Sequence, residues 1–147
     1  MLAPDGGGGA EGFAGAALGI TAMQQNYVNL KGAVDSGQVM ITPDAATNAA
    51  KACRDQAAAF ADMQDRATRL AFHARSLKLG DCAEGRAMST TLAKKADDGS
   101  GNSGGSAAAL FGQAAEIMNN MAATYEAAGK MYHETDQNNA RALKGNG

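Results

Sequence analysis

The side chains that could carry chemistry in this chain are few and far apart. His73 and His133 could ligate a metal ion, but neither has a carboxylate or a cysteine at a spacing that builds a site. Cys53 and Cys82 do not form a CxxC pair, and along one straight helix they would lie about 40 Å apart. No two carboxylates are placed for acid–base catalysis. We therefore predict a protein that is not an enzyme, with no catalytic residue, no cofactor and no metal ligand.

One pair of residues near the end of the chain has a spacing suited to recognition. Tyr132 and Asp136 are four residues apart in MYHETDQNNARAL, so both side chains share one face of a helix, and that face continues to Leu143. The residues alone leave two interpretations open. Either the tyrosine packs in the core and the aspartate is solvated, or the pair is a signal that another protein reads.

The composition predicts helices. The 147 residues suffice for one domain, and the apolar share of 45% is mostly alanine, with no tryptophan, three tyrosines and four phenylalanines. Alanine has the highest helix propensity, and residues that favour strands are scarce. We therefore predict an all-α fold.

Charge and hydropathy exclude several classes of partner. The net charge is −2, and no cluster of Lys and Arg is present, so a nucleic-acid partner is not expected. No stretch approaches the ~20 apolar residues that cross a bilayer, and the N-terminus lacks the pattern of a signal peptide. We expect neither stable membrane insertion nor Sec-dependent export.

Periodic apolar positions and helix-end signals predict two long and two shorter helices in a single domain. The predicted helices are residues 13–35, 43–79, 82–96 and 106–143, with flexible segments at 1–12 and 144–147 and a Gly/Ser linker at 97–105. Because connections are short, we predict either an elongated antiparallel hairpin or a four-helix bundle.

Particular residues mark the ends of these helices. Thr42 is a predicted cap for the second helix, with Pro43 at its first position, and Ser106 is a predicted cap for the last. Asp81 and Glu84 are spaced as a capping pair for the third helix.

Large apolar residues recur at spacings of three and four along the two long helices. They predict a seam, either in the core or with a partner. The seam residues are Phe60, Met63, Leu70, Leu77, Leu110, Ile117, Met121 and Met131.

Several of these features together resemble a known superfamily. They are the long helix that begins with a TP pair, the turn LGDCAEGRA, a glycine-rich gap and the ending AAGKMYHETDQNNARAL. The region of about residues 41–143 resembles the actinobacterial ESX (type VII) secretion substrates and secretion-associated proteins, the WXG-like helical superfamily. Tryptophan is absent, so only Gly80 and Gly85 mark the turn that W-x-G occupies in that superfamily.

The resemblance implies a function in export. It implies that an already folded helical protein leaves the cytoplasm by a non-Sec route, as a dimer with itself or with a similar small helical protein, or that the protein escorts such a substrate. Tyr132 and Asp136 would be the secretion signal, read by a membrane-bound secretion ATPase of the FtsK/SpoIIIE type. The alternative is a cytosolic helical scaffold or chaperone-like protein with no export role.

Overall fold

A computed structural model describes residues 8–145 of the chain, with side chains from residue 14 onward. The helices are α1 (Gly8–Asp35), α2 (Pro43–Ser76), α3 (Ala83–Ala96) and α4 (Ala107–Gly145), and one 3-10 turn spans Gly101–Ser103. Residues 8–145 contain no β-strand. The all-α prediction is therefore confirmed, with four α-helices.

The ends of the helices differ from the predicted ends by a few residues. α1 begins at Gly8, inside the segment 1–12 that is predicted to be a flexible tail, and residues 1–7 of that segment lie outside the described residues. α2 ends at Ser76, three residues before the predicted end. α4 continues to Gly145, two residues beyond the predicted end, and residues 146–147 lie outside the described part.

The start signals of the two long helices α2 and α4 act as predicted. Thr42 Oγ1 accepts the backbone N–H of Ala45 at 3.4 Å, and Ser106 Oγ accepts that of Ala109 at 3.3 Å. Pro43 is the first residue of α2, where its missing N–H leaves no helical hydrogen bond unmade. Each side-chain oxygen thus accepts a hydrogen bond from one of the backbone N–H groups that have no helical partner at the start of a helix.

The predicted capping pair of α3 is wrong by one residue. Cys82, not Asp81, has the extended backbone of a cap residue, and its Sγ accepts the N–H of Gly85 at 3.4 Å. The backbone carbonyl oxygen of Asp81 instead accepts a hydrogen bond from Nη1 of Arg86, and the two atoms are 2.6 Å apart. A thiol therefore takes the position that the sequence pattern predicts for a carboxylate.

The contacts divide the chain into two compact units. The first unit comprises Met1–Met23 and Ala58–Ala115, and the second comprises Gln24–Ala57 and Glu116–Gly147, over their described parts. Because α1, α2 and α4 are long, each contributes residues to both units.

In the first unit, α3 runs antiparallel to the C-terminal half of α2. Ser89 Oγ, in the middle of α3, donates to the carbonyl of Ala74 near the end of α2. Thr68, earlier in α2, donates its Oγ1 to Asp97 Oδ2 at 2.8 Å, just after the end of α3. Residue numbers thus rise along one helix as they fall along the other.

The predicted Gly/Ser linker is tied to the helices beside it. Gln64 Nε2 on α2 donates to Asn102 Oδ1 at 3.0 Å. Gln113 Nε2 on α4 donates to the carbonyls of Asn102 at 2.6 Å and Gly104 at 3.3 Å. The composition predicts a flexible linker, whereas the structure shows a loop held by side-chain amides from two helices.

In the second unit, the first half of α2 runs antiparallel to the second half of α4. Arg54 Nη1 lies 2.5 Å from Glu126 Oε1. Gly129 lies against the start of α2, where an added Cβ would be 2.7 Å from the Cβ of Ala46. The two helices can approach this closely only because both residues at the contact are small.

Alanine dominates the core of both units. Thirteen of the sixteen buried apolar residues among the described side chains are alanines, and the others are Val34, Leu110 and Ile117. A methyl group buries little apolar area, so each contact contributes little hydrophobic free energy. Because its side chain is small, alanine also allows the helix backbones to pack closely.

The buried face of α2 differs from the predicted seam. Ala67, Ala71 and Ala74 are at most 7% exposed, whereas Met63, Leu70 and Leu77 are 43%, 62% and 50% exposed. Phe60 is half-buried. The large side chains lie outside the core because the small alanines take the closely packed face. For Met63, Leu70 and Leu77, only the partner alternative of the seam prediction stays open.

On α4 the predicted seam agrees better with the burial. Leu110 and Ile117 are 9% and 5% exposed and lie in the core, which is one of the two alternatives for the seam. Met121 is half-buried. Met131 is 42% exposed and lies outside the core.

Candidate functional site

The Tyr132–Asp136 pair lies where α4 stops packing against the rest of the second unit. Tyr132 is half-buried, and every residue from His133 to Gly145 is exposed. Thirteen helical residues in a row are therefore exposed. These exposed side chains are accessible to a second protein.

Local interactions support the helix in this stretch. Thr135 Oγ1 donates to the carbonyl of Met131 at 2.9 Å, and the side chains of His133 and Gln137 are hydrogen-bonded with their nitrogens 2.8 Å apart. Lys144 in the last turn interacts favourably with the helix dipole. Isolated helices of this length are marginal in water, so these contacts matter more here than in a packed helix.

The pair extends the face of α4 that is buried earlier in the helix. Ile117, Met121 and Ala128 lie on this face, and Tyr132 and Asp136 continue it at the same spacing. The face thus changes from buried and apolar to exposed and polar at Tyr132. The Asp136 carboxylate has no hydrogen bond or ion pair within the part of the chain that the structure describes, so it is available to an external donor.

An open cavity of about 630 Å³ lies in the second unit between the start of α2 and α4. Its lining residues are Pro43, Ala46, Thr47, Glu126, Gly129, Lys130, His133 and Glu134. His133 and Glu134 adjoin Tyr132 in sequence, but Tyr132 and Asp136 do not line the cavity. The Tyr132–Asp136 pair therefore lies on the helix surface and not in this cavity.

One ion pair lies beside this cavity. Arg54 and Glu126 are each about half exposed, and their contact lowers the pKa of the Glu126 carboxyl through the hydrogen bond from the guanidinium. The same hydrogen bond raises the pKa of Arg54. The two residues are 72 positions apart, so the pair links α2 to α4 in one register.

The Arg54–Glu126 pair predicts a dependence of stability on pH. Because the folded-state pKa of Glu126 is lowered from 4.5, the pair stabilises the fold above that pH, and the contribution disappears as the pH falls through the folded-state pKa. We expect Glu126→Gln to lower Tm at neutral pH and to match the wild type in strong acid. Thermal unfolding followed by circular dichroism over a pH series measures this. Glu116→Gln, at an exposed position on the same helix, is the control, and a difference in Tm that persists in acid would contradict the prediction.

Of the two glycines predicted to mark the turn, Gly80 lies between α2 and α3 and Gly85 lies in the first turn of α3. Gly80 has φ +95°, a left-handed conformation that favours glycine. Gly85 is buried, and a Cβ there would overlap the carbonyl oxygen of Leu79. Both glycines are needed for the chain to reverse direction so tightly.

The histidines and cysteines are not brought together. His73 and His133 are both exposed, and no group of three His, Cys, Asp or Glu side chains suited to a metal ion occurs among the described residues. Cys53 is half-buried, and burial raises the pKa of its thiol. Cys82 is exposed, and neither cysteine is in a disulfide.

Sequence reasoning missed the cavity and the Arg54–Glu126 pair. Both depend on which turn of α2 lies beside which turn of α4, and no local pattern specifies that register. The one available signal is Gly129, a glycine inside an otherwise alanine-rich helix, which indicates a close approach of another backbone.

Comparison with protein-family models, with curated proteins and with solved structures found no significant match to this chain. None of the described helices combines the length and the apolar composition that a membrane crossing requires.

Proposed function

We propose that this chain is a non-enzymatic helical protein of a type VII (ESX) secretion system, with Tyr132 and Asp136 as its C-terminal signal. In this proposal it is exported by a non-Sec route as a folded homodimer or heterodimer, or it acts as a secretion-associated partner of such a substrate. Its reader is a membrane-bound secretion ATPase of the FtsK/SpoIIIE type.

The observation that carries the proposal is the state of α4 around the pair. Asp136 is exposed and has no hydrogen-bond or ion-pair partner within the described residues, and every described residue of α4 beyond Tyr132 is exposed. The exposed helical face suits recognition by a second protein.

The architecture that the resemblance implies is also part of the proposal. In that architecture the long helices fold back on one another as an antiparallel hairpin or bundle before export. The antiparallel contacts of α2 with α3 in the first unit and with α4 in the second are compatible with it.

The test is secretion from the native host. We expect the tagged wild-type protein in the culture medium and the Asp136→Ala and Tyr132→Ala variants inside the cell. Asp136→Ala is the cleaner variant, because an exposed side chain without a partner can be removed with little effect on stability. Tyr132→Ala removes a half-buried ring, so circular dichroism must show that this variant is folded.

Asn138→Ala is the matched control. Asn138 is exposed on the same end of α4 but lies on a different side of the helix from the pair. We expect it to be exported like the wild type. If the wild-type protein and all variants stay in the cytoplasm, the export proposal fails and the cytosolic scaffold is the better function. If all are exported alike, the pair is not the signal.

A further inference from the structure

Another open cavity lies at the turn between α2 and α3, within the first unit. Its volume is about 270 Å³. The lining includes the buried Gly85 and Ser89 and the exposed Arg75, Leu77, Arg86 and Thr90. Pockets for drug-sized molecules typically have volumes of about 300–1,000 Å³, so this cavity suits a smaller ligand.

The charged residues that line this cavity have one sign. They are Arg75 and Arg86, and no acidic side chain of the described residues lines it. Asp81 and Glu84 belong to the same turn but lie outside the lining. The cavity of the second unit differs, because glutamates line it together with a lysine and a histidine. A cleft lined by charges of one sign raises the local concentration of counter-ions, so the cavity at the α2–α3 turn favours an anion.

Both guanidinium groups keep hydrogen-bond donors for a ligand. Arg86 donates to a backbone carbonyl, that of Asp81, at 2.6 Å. Arg75 donates to the backbone carbonyl of Asp97 at 3.5 Å, which is longer than the usual range of about 2.7–3.2 Å and indicates a weak contact. Neither arginine is in an ion pair with a carboxylate in the part of the chain that the structure describes. A guanidinium has several N–H donors, so most of them remain for an anion.

The hydroxyl groups of the lining are already used by the backbone. Ser89 Oγ donates to the carbonyl of Ala74, and Thr90 Oγ1 donates to the carbonyl of Arg86 at 3.0 Å. A hydroxyl has a single proton to donate, so neither group can donate to a ligand while these hydrogen bonds are kept. The two arginines are therefore the side chains with which this cavity can bind an anion.

Two guanidinium groups distinguish anions by the number of their oxygens. The planar fork of one arginine binds a carboxylate through both carboxylate oxygens, so a second arginine adds little. A phosphate monoester has three terminal oxygens and can accept hydrogen bonds from two guanidinium groups at once. The pair of arginines therefore favours a phosphate group over a carboxylate.

We propose that Arg75 and Arg86 bind the phosphate group of a phosphate monoester in the cavity at the α2–α3 turn, with Leu77 beside the organic part of the ligand. A small soluble molecule and a phospholipid head group can both supply this group. The site uses none of the residues of the Tyr132–Asp136 signal. The binding proposal and the export proposal can therefore fail independently.

Phenyl phosphate and benzoate serve as probes, because both carry a phenyl ring and they differ in the anionic group. Isothermal titration calorimetry with the full-length protein, in a phosphate-free buffer of constant ionic strength, measures both affinities. We expect phenyl phosphate to bind at least ~10-fold more tightly than benzoate. Flotation with vesicles that contain phosphatidic acid tests the lipid source, because the head group of this lipid is a phosphate monoester.

Variants of the protein locate the site. Arg75→Gln and Arg86→Gln are each expected to weaken binding of phenyl phosphate at least ~10-fold. Arg86→Lys keeps the charge but loses the planar fork, and we expect it to weaken binding at least ~3-fold. Arg69→Gln is the matched control, because Arg69 is exposed on α2 and lies outside the lining, and its effect is expected to be less than ~2-fold. Circular dichroism establishes that each variant is folded.

Four results would overturn the proposal. They are no binding of either phenyl phosphate or the vesicles, equal affinity for phenyl phosphate and benzoate, unchanged affinity in any folded variant of Arg75 or Arg86, and a loss in Arg69→Gln as large as in Arg75→Gln. The two sources give different results that both support it. Vesicle binding that Arg75→Gln abolishes assigns the phosphate to a lipid head group, whereas binding of phenyl phosphate without binding of vesicles assigns it to a soluble molecule.

Discussion

Aspartate in place of Ala71 is expected to destabilise the protein by about 3–5 kcal/mol, whereas aspartate in place of the adjacent Leu70 is expected to change stability by less than about 1 kcal/mol. Ala71 is 1% exposed and Leu70 is 62% exposed. A carboxylate at position 71 would be removed from water without a partner on the closely packed face of α2. At position 70 it would remain in solvent.

Urea denaturation followed by circular dichroism compares the two variants directly. Both variants introduce aspartate at neighbouring positions of one helix, and alanine and leucine are both strong helix formers, so the loss of helix propensity is similar in the two. A large loss of stability for Leu70→Asp in the isolated chain, or a small one for Ala71→Asp, would show that the leucine side of α2 and not the alanine side forms the core.

Alanine in place of Gly85 is expected to lower the free energy of unfolding by about 3 kcal/mol. Two effects oppose each other at this position in the first turn of α3. Alanine is a better helix former than glycine by about 1 kcal/mol. Against this, the new Cβ would overlap the carbonyl oxygen of Leu79, which is backbone and cannot rotate away. The steric effect is therefore expected to dominate.

Thermal and urea unfolding of Gly85→Ala measure this effect, with Gly105→Ala as the matched control. Gly105 is exposed and has no atom within 4 Å of an added Cβ, so its replacement is expected to change stability by less than about 1 kcal/mol. Wild-type stability in Gly85→Ala would mean that the chain between α2 and α3 can take another path.

Hydrophobic spacing predicts the helices well and the buried face of α2 poorly. Residues such as Met63 and Leu70 dominate any hydrophobicity pattern, and a seam through them is the natural expectation. In the structure, alanines at the adjacent positions of the same repeat are buried instead, because small side chains permit close approach of the helix backbones. Spacing alone could not distinguish these two registers, since both alternate three and four residues.

In the candidate site, too, the spacing of nearby residues predicts one feature, and contacts between distant residues determine another. The common face of Tyr132 and Asp136 follows from their spacing, which the sequence contains. The point at which α4 stops packing depends on where α2 begins beside it, and that position is set by contacts such as Gly129 with Ala46. The residue that caps α3 is Cys82 and not the predicted Asp81. The path of the turn before α3 depends on the conformation of Gly80 and on the close approach at Gly85, which a capping pattern does not contain.

The alanine-lined core has a consequence for how accurately the helices are aligned. If one helix slid past its neighbour by one turn, about 5.4 Å, many alanine methyls would meet other alanine methyls, and the packing energy would change little. Alignment must then come from contacts that cannot be repeated one turn away. In the second unit these are the fit of Gly129 against Ala46 and the Arg54–Glu126 ion pair, and in the first unit they include the hydrogen bond from Ser89 of α3 to the carbonyl of Ala74 of α2. A few polar and glycine contacts therefore select one alignment among several of similar packing energy.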